Sequence, residues 1–109
     1  MSDSGREHPA VDRLFAALSH PTRRSTLVFL NRASVGDSGW IPLETLAVEL
    51  AEPETVVEQL YHVHLPQLDG VDLVEWDHER ELVRRGPRFE TVTPVLELLE
   101  QLREEFPDE

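Results

Sequence analysis

The apolar positions of the chain change period several times, and each change marks an element. Val11, Leu14, Phe15 and Leu18 fall at i, i+3, i+4 and i+7, the stripe of an amphipathic helix, and Ser19-His20-Pro21 ends it because a residue before proline avoids helical backbone. Pro21 suits the first turn of a second helix, where its missing N–H has no partner to lose. Leu27, Val28, Phe29 and Leu30 make that helix apolar nearly all round, and therefore central. Ser34, Gly36, Asp37, Ser38 and Gly39 read as a loop, with Trp40-Ile41 as a short strand before Pro42. Leu43, Leu46, Ala47 and Leu50 repeat the helical stripe in a short third helix that stops near Glu52-Pro53. A fourth helix opens at Pro53-Glu54-Thr55 and carries Val56, Val57, Leu60, Tyr61, Val63, His64, Leu65 and Leu68 to about Asp69. The period then becomes two. Val71, Leu73 and Glu75 take one side and Asp72, Val74 and Trp76 the other, and Leu82-Val83-Arg84 returns across the polar turn Asp77-His78-Glu79-Arg80 as a β-hairpin. A last helix, over about 93–106, opens at Thr93-Pro94 and lines up Val95, Leu96, Leu99, Leu102 and Phe106 with Leu98 beside them.

Helix, helix, short strand, helix, helix, hairpin, helix is the order of a winged helix-turn-helix: mainly α with a small β-hairpin wing, an α+β class. The third helix supports a recognition helix at about 54–69, and the hairpin at about 71–86 is the wing. Residues 1–10 are polar with Gly5 and Pro9 and read as a flexible leader, 11–106 as the domain and 107–109 as a tail. At 109 residues, 39% of them hydrophobic, the chain suffices for one core and not for two.

The stretch LFAALSHPTRRSTLVFL, Leu14 to Leu30, resembles the opening of ArsR-like regulators, where two helices flank a Ser-x-Pro-x-Arg-Arg segment. His64-Leu65, Leu68 and Leu73-Val74 stand at the spacing of that family's HLxxL, four residues, then LV, which runs from recognition helix into wing. LYHVHLPQL, Leu60 to Leu68, is still more similar to an uncharacterised winged-helix domain of halophilic archaea. The resemblance covers about Asp12 to Arg88 and implies a homodimeric, DNA-binding transcription regulator. Two positions depart from it. Pro66 lacks a backbone donor and clashes with the carbonyl of His62, so a kink or an end of the helix is expected there. Asp72 stands where the pattern has glycine, and Gly70 is available to make the turn instead.

Composition changes the electrostatic picture. Twenty-two Asp and Glu stand against 10 basic residues, all arginine, for a formal net charge of -12. Abundant short carboxylates without lysine look like the surface of a protein from a salt-accumulating archaeon, where screening tolerates self-repulsion. An acidic mesophilic protein and a binder of basic partners are the alternatives. No cysteine is present, which excludes disulfides, thiolate metal sites and cysteine nucleophiles. No apolar run approaches a membrane span and no signal-peptide pattern opens the sequence, so the expected location is the cytoplasm, with no membrane partner.

Between Glu54 and Asp69 there is no arginine, while Glu54, Glu58 and Asp69 are acidic, the reverse of an ordinary DNA reader. In strong salt that objection weakens, because the affinity contributed by phosphate contacts falls with a slope of about -0.9 per phosphate on a log–log scale. A reader would then rely on base edges, for which Gln59, His62 and Gln67 on the fourth helix are the candidates. Arg80, Arg84, Arg85 and Arg88 form the densest basic cluster, on and just after the wing. They have two readings: phosphate contacts, or ion pairs with neighbours such as Glu79, Glu81 and Glu90. Arg23 and Arg24 read as structural. His62 and His64 point roughly 200° apart on a helix and cannot share a metal, so His64 reads as a core or hinge residue and His62 as surface. Tyr61 and Trp76 sit in apolar periodic segments and read as packing rather than as base-stacking platforms. No phosphate loop, nucleophile elbow or zinc-protease motif occurs, so no enzyme activity, cofactor, metal or small-molecule substrate is expected.

The last helix and the first supply a candidate dimer surface of Leu14, Leu18, Val95, Leu98, Leu99, Leu102 and Phe106. Two functions therefore stand: a homodimeric regulator that binds double-stranded DNA, or a protein-interaction module that keeps the winged-helix scaffold without reading DNA.

Overall fold

Proline marks the start of four helices. Pro9 and Pro21 are the first residues of α1 (Pro9–Leu18) and α2 (Pro21–Arg32), and Pro42 and Pro53 stand immediately before α3 (Leu43–Leu50) and α4 (Glu54–Gln59). Each position is one where the absent N–H has no helical partner. A π-helical turn, Leu60–His64, joins α4 to α5 (Leu65–Gly70). β1 (Ile41–Pro42), β2 (Val74–Asp77), β3 (Leu82–Arg85) and α6 (Phe89–Glu105) complete the chain. The computed structural model describes residues 9–33 and 39–106, and it is mainly α with a small antiparallel sheet, a winged helix-turn-helix. Most of the expected leader, the loop residues Ser34, Gly36, Asp37 and Ser38, and the tail 107–109 lie outside the described residues. The first helix opens at Pro9, two residues before Val11, because proline pre-sets the first helical turn.

The three strands run in the order β1-β3-β2. The hairpin pairs Val74 with Arg85, Glu75 with Arg84, Trp76 with Val83 and Asp77 with Leu82, and β1 adds Ile41 opposite Val83. Pro42 is tolerated because β1 is an edge strand, where one N–H faces away from the ladder. The tip is closed by Asp77, whose Oδ1 accepts from the backbone N–H of Glu79 and Arg80 at 3.2 and 3.0 Å.

Alternation over Val71–Leu73 predicts strand, yet these residues form the turn that ends α5. The N–H of Leu73 donates to Leu68 O and that of Asp72 to Asp69 O, each at 3.0 Å, and Asp72 takes a left-handed φ of 66°. This is a Schellman cap with Leu73 and Leu68 as its buried apolar contact, which explains why Leu73 and Val74, adjacent in sequence, are both buried. Gly70 does not make the turn: it stays helical, and Asp72 carries the strained conformation itself. Replacing Asp72 by glycine removes that strain, and urea unfolding is expected to show a gain of about 0.5–1 kcal/mol.

Two prolines lie inside helices. At Pro66 the helix neither ends nor breaks. The π turn ahead of it lets Leu65 N–H reach back to Leu60 O, and this wider turn takes up the irregularity proline imposes. Pro94 sits inside α6, which starts at Phe89 instead of near Thr93. The carbonyl of Glu90 that loses its partner at Pro94 accepts instead from Thr93 Oγ1 at 2.6 Å, so the helix continues through the proline.

The core draws on every element after α1's last turn except α4, with Leu27, Leu30, Ile41, Leu46, Leu60, Leu65, Leu68, Val83, Phe89 and Leu96 all buried. It lies between α2 and the helices that follow, with the sheet closing one side. Among the described residues no helix is long and apolar enough to cross a membrane.

Candidate nucleic-acid interface

The segment Glu54–Gly70 packs Leu60, His64, Leu65 and Leu68 inward. Its outward face therefore carries Thr55, Glu58, Gln59, His62, Val63, Pro66, Gln67 and Gly70, all exposed. All three polar candidates, Gln59, His62 and Gln67, lie on this face. Asp69 does not add to its charge: its Oδ2 accepts from the backbone N–H of Trp76 at 3.0 Å, which fastens the helix end to the first wing strand. The acidic residues of the outward face are thus confined to its first turns, at Glu54 and Glu58.

The wing arginines have separate fates. Arg84 Nε and a terminal nitrogen both reach Glu75 Oε1 at 2.7 Å across the strand pair, and the guanidinium lies 4.2 Å from the centre of the Trp40 ring. Arg85 donates to Leu30 O and Asn31 O at 2.9 and 3.2 Å, satisfying carbonyls at the end of α2, and lies 5.2 Å from the Phe89 ring. Arg80 is exposed at the tip, 3.8 Å from Asp77. Arg88 is exposed at the start of α6 and its side chain has no partner among the described residues. Arg80, Arg85 and Arg88 are all exposed, and of these Arg85 is held by the α2 carbonyls.

Behind the Glu54–Gly70 segment lies a buried joint. Arg23, 8% exposed, donates from Nε to Ala17 O at 2.8 Å, from one terminal nitrogen to Ala16 O at 3.1 Å and from the other to His64 Nδ1 at 3.0 Å. Arg24 donates to Leu18 O at 2.8 Å. Both arginines thus satisfy the C-terminal carbonyls of α1. Burial lowers the Arg23 pKa from its ordinary value. His64, 3% exposed, has its pKa lowered chiefly by burial, then by His20 and by Arg23. His20, whose ring centre lies 4.2 Å from that of His64, caps α2 by accepting the Thr22 N–H on Nδ1 at 3.2 Å. Tyr61 and Trp76 are half-buried against the core. The Tyr61 hydroxyl donates to Leu43 O at 3.3 Å, and its pKa is raised by burial, Glu81 and Glu44.

The candidate dimer residues divide. Leu18 is buried in the protomer's core, and Leu14, Val95 and Leu99 are half-buried against it. Leu98, Leu102 and Phe106 are exposed by 52%, 40% and 72%, and Phe15 on α1 by 62%. Phe15 belongs to the α1 stripe, and its exposure beside the burial of Leu18 shows that only part of that stripe is used inside the protomer.

Sequence reasoning identified the helix face but not how its base is anchored. The contact of Arg23 with His64 spans 41 residues, and that of Arg85 with Leu30 spans 55, and no local spacing signals either. The pairing of Arg84 with Glu75 follows from the hairpin register, which sets the two residues opposite each other, where the sequence pointed to Glu79, Glu81 and Glu90.

A family model described as a domain of unknown function (DUF7344) matches residues 15–84, from the second half of α1 to the last strand. No curated protein and no solved structure matches the chain.

Proposed function

The chain belongs to the DUF7344 family, whose description carries no activity, and we propose that it is a homodimeric, DNA-binding transcription regulator of a saline cytoplasm. One observation carries this reading: Gln59, His62 and Gln67 share the outward face of the recognition helix, while Asp69 is withdrawn into a backbone contact. Such a face offers hydrogen bonds to base edges in a major groove without depending on phosphate attraction, which suits strong salt. Glutamine pairs bidentately with adenine, and Glu58 at the head of the row accepts from cytosine N4. Arg80 at the wing tip and Arg88 just after the wing contact phosphates and set the register.

Anisotropy titration of genomic fragments in molar KCl tests this. Specific binding is expected, and Gln59→Ala with Gln67→Ala should weaken it by about tenfold or more each, since a bidentate base contact contributes about 1–3 kcal/mol of discrimination. Arg88→Ala should instead weaken all sequences alike. A protein-interaction module is the second reading, favoured by the internal engagement of Arg84 and Arg85. If no fragment is bound specifically at any salt concentration, that reading replaces the first.

A further inference from the structure

We infer that Arg23, acting through His64, positions the recognition helix and makes its pose depend on the protonation of His64. Arginine has only donors, so the contact between its terminal nitrogen and His64 Nδ1 at 3.0 Å requires a lone pair on Nδ1, hence a neutral ring with its proton on Nε2. His20 is held in the same tautomer, since its Nδ1 accepts the Thr22 N–H. The two rings stand 4.2 Å apart, each with its acceptor nitrogen in use. A proton on His64 Nδ1 turns this contact into donor against donor. It also places a second positive charge beside Arg23 in a site that is almost closed to water.

Among the described residues no carboxylate is hydrogen-bonded or ion-paired to Arg23, His64 or His20. From α1 the joint receives the carbonyls of Ala16 and Ala17 through Arg23, and Arg24 sits on Leu18 O. From α2 it receives Arg23, with His20 at the head of that helix. On the recognition segment Glu58 lies on the outward face and Asp69 is bound to Trp76. Burial, His20 and Arg23 all act on His64 in the same direction, towards a lower pKa. With its folded value below the ordinary 6.5, the unfolded chain binds more protons in between. The stabilisation is therefore complete above about 6.5 and is lost as pH falls through the lowered value, with the unfolding constant rising up to about tenfold per pH unit.

His64 is also the last residue of the π turn, immediately before Leu65-Pro66, where the helix has its least regular hydrogen bonding. Loss of the Arg23 contact there frees the half of the recognition helix that carries Gln67. Through the same guanidinium that half is tied to the end of α1, so protonation also loosens α1 against the reading face. The inference concerns the helix alone and stands whether or not the face reads DNA.

NMR titration of the full chain in molar KCl from pH 8 to 5 tests it. His64 is expected to titrate below the ordinary histidine range, with the amides of residues 60–70 and of Ala16 and Ala17 shifting at the same midpoint. His20→Asn keeps a capping acceptor and removes one imidazole, so the His64 midpoint should move up. In His64→Gln the pH-dependent shift of the helix amides should vanish. An ordinary His64 midpoint in the folded chain, or helix amides that ignore its titration, overturns the inference.

Discussion

Replacing Gly86 by alanine is expected to lower the unfolding free energy by about 2–3 kcal/mol, the upper range for inserting one methyl group where nothing can yield. A Cβ at this position meets Asp72 O at 2.5 Å, Val74 N at 2.8 Å and Asp72 C at 2.9 Å, all backbone. Backbone here is immobile because it is hydrogen-bonded twice more: Gly86 N–H donates to Leu73 O at 2.9 Å and Arg88 N–H to Asp72 O at 2.8 Å. These bonds clamp the end of the wing to the Schellman turn behind α5, and Phe89 follows at once as the buried first residue of α6. Separating the clamp therefore disturbs the wing, the end of α5 and the start of α6 together. Urea unfolding checks the magnitude, and Gly70→Ala serves as its control. A Cβ at Gly70 meets nothing within 4 Å, and alanine in a helix is favoured over glycine by about 0.5–1 kcal/mol, so that variant should be neutral or more stable. Equal losses at the two glycines would remove the steric explanation.

The same turn shows how far sequence reasoning reaches. Period and proline placement located α2, α3 and the hairpin, because Pro21, Pro42 and Pro53 act at the first residue or the cap of a helix, where their effect is local. The reasoning failed where a proline effect was cancelled by something nearby. Pro94 suggested a helix start, but the Thr93 hydroxyl relieves the carbonyl that proline leaves unpaired. Pro66 suggested a kink or an end, and the helix does not end there because a π turn precedes it. Asp72 suggested a shifted turn, yet aspartate tolerates the left-handed region well enough for the cap to keep its place. For the candidate interface, the outward set Gln59, His62 and Gln67 was legible from helical spacing. The division of the wing arginines was not, since Arg85 is held by carbonyls at the far end of α2. Charge counted along the chain also could not show that the Asp69 carboxylate turns away from the outward face of the Glu54–Gly70 segment to accept the Trp76 N–H.

Changing Leu102 and Phe106 together to glutamate is expected to convert a homodimer into a monomer. In one protomer these side chains are exposed by 40% and 72% at the end of α6, beside a groove lined by Pro21, Val28 and Leu99. A two-fold interface buries each twice, so the double variant removes four apolar side chains at about 1.5–3 kcal/mol each. It also sets new carboxylates among Glu97, Glu100, Glu104 and Glu105. Even with half of that burial already made in the monomer, the dissociation constant should rise at least a hundredfold, from about 3 kcal/mol upward. Light scattering on the eluting protein reads this directly, with 12.5 kDa expected for the variant and twice that for the parent chain. Val48→Glu on α3, where Val48 is 70% exposed, is the control and should stay dimeric. Salt supplies an independent check. Because both protomers are strongly acidic, the parent dimer should loosen as KCl is diluted and like charges regain their range, about 30 Å at 0.01 M against 3 Å at 1 M. A parent chain that is monomeric in molar KCl would exclude the dimer, and with it a reader that spans two half-sites.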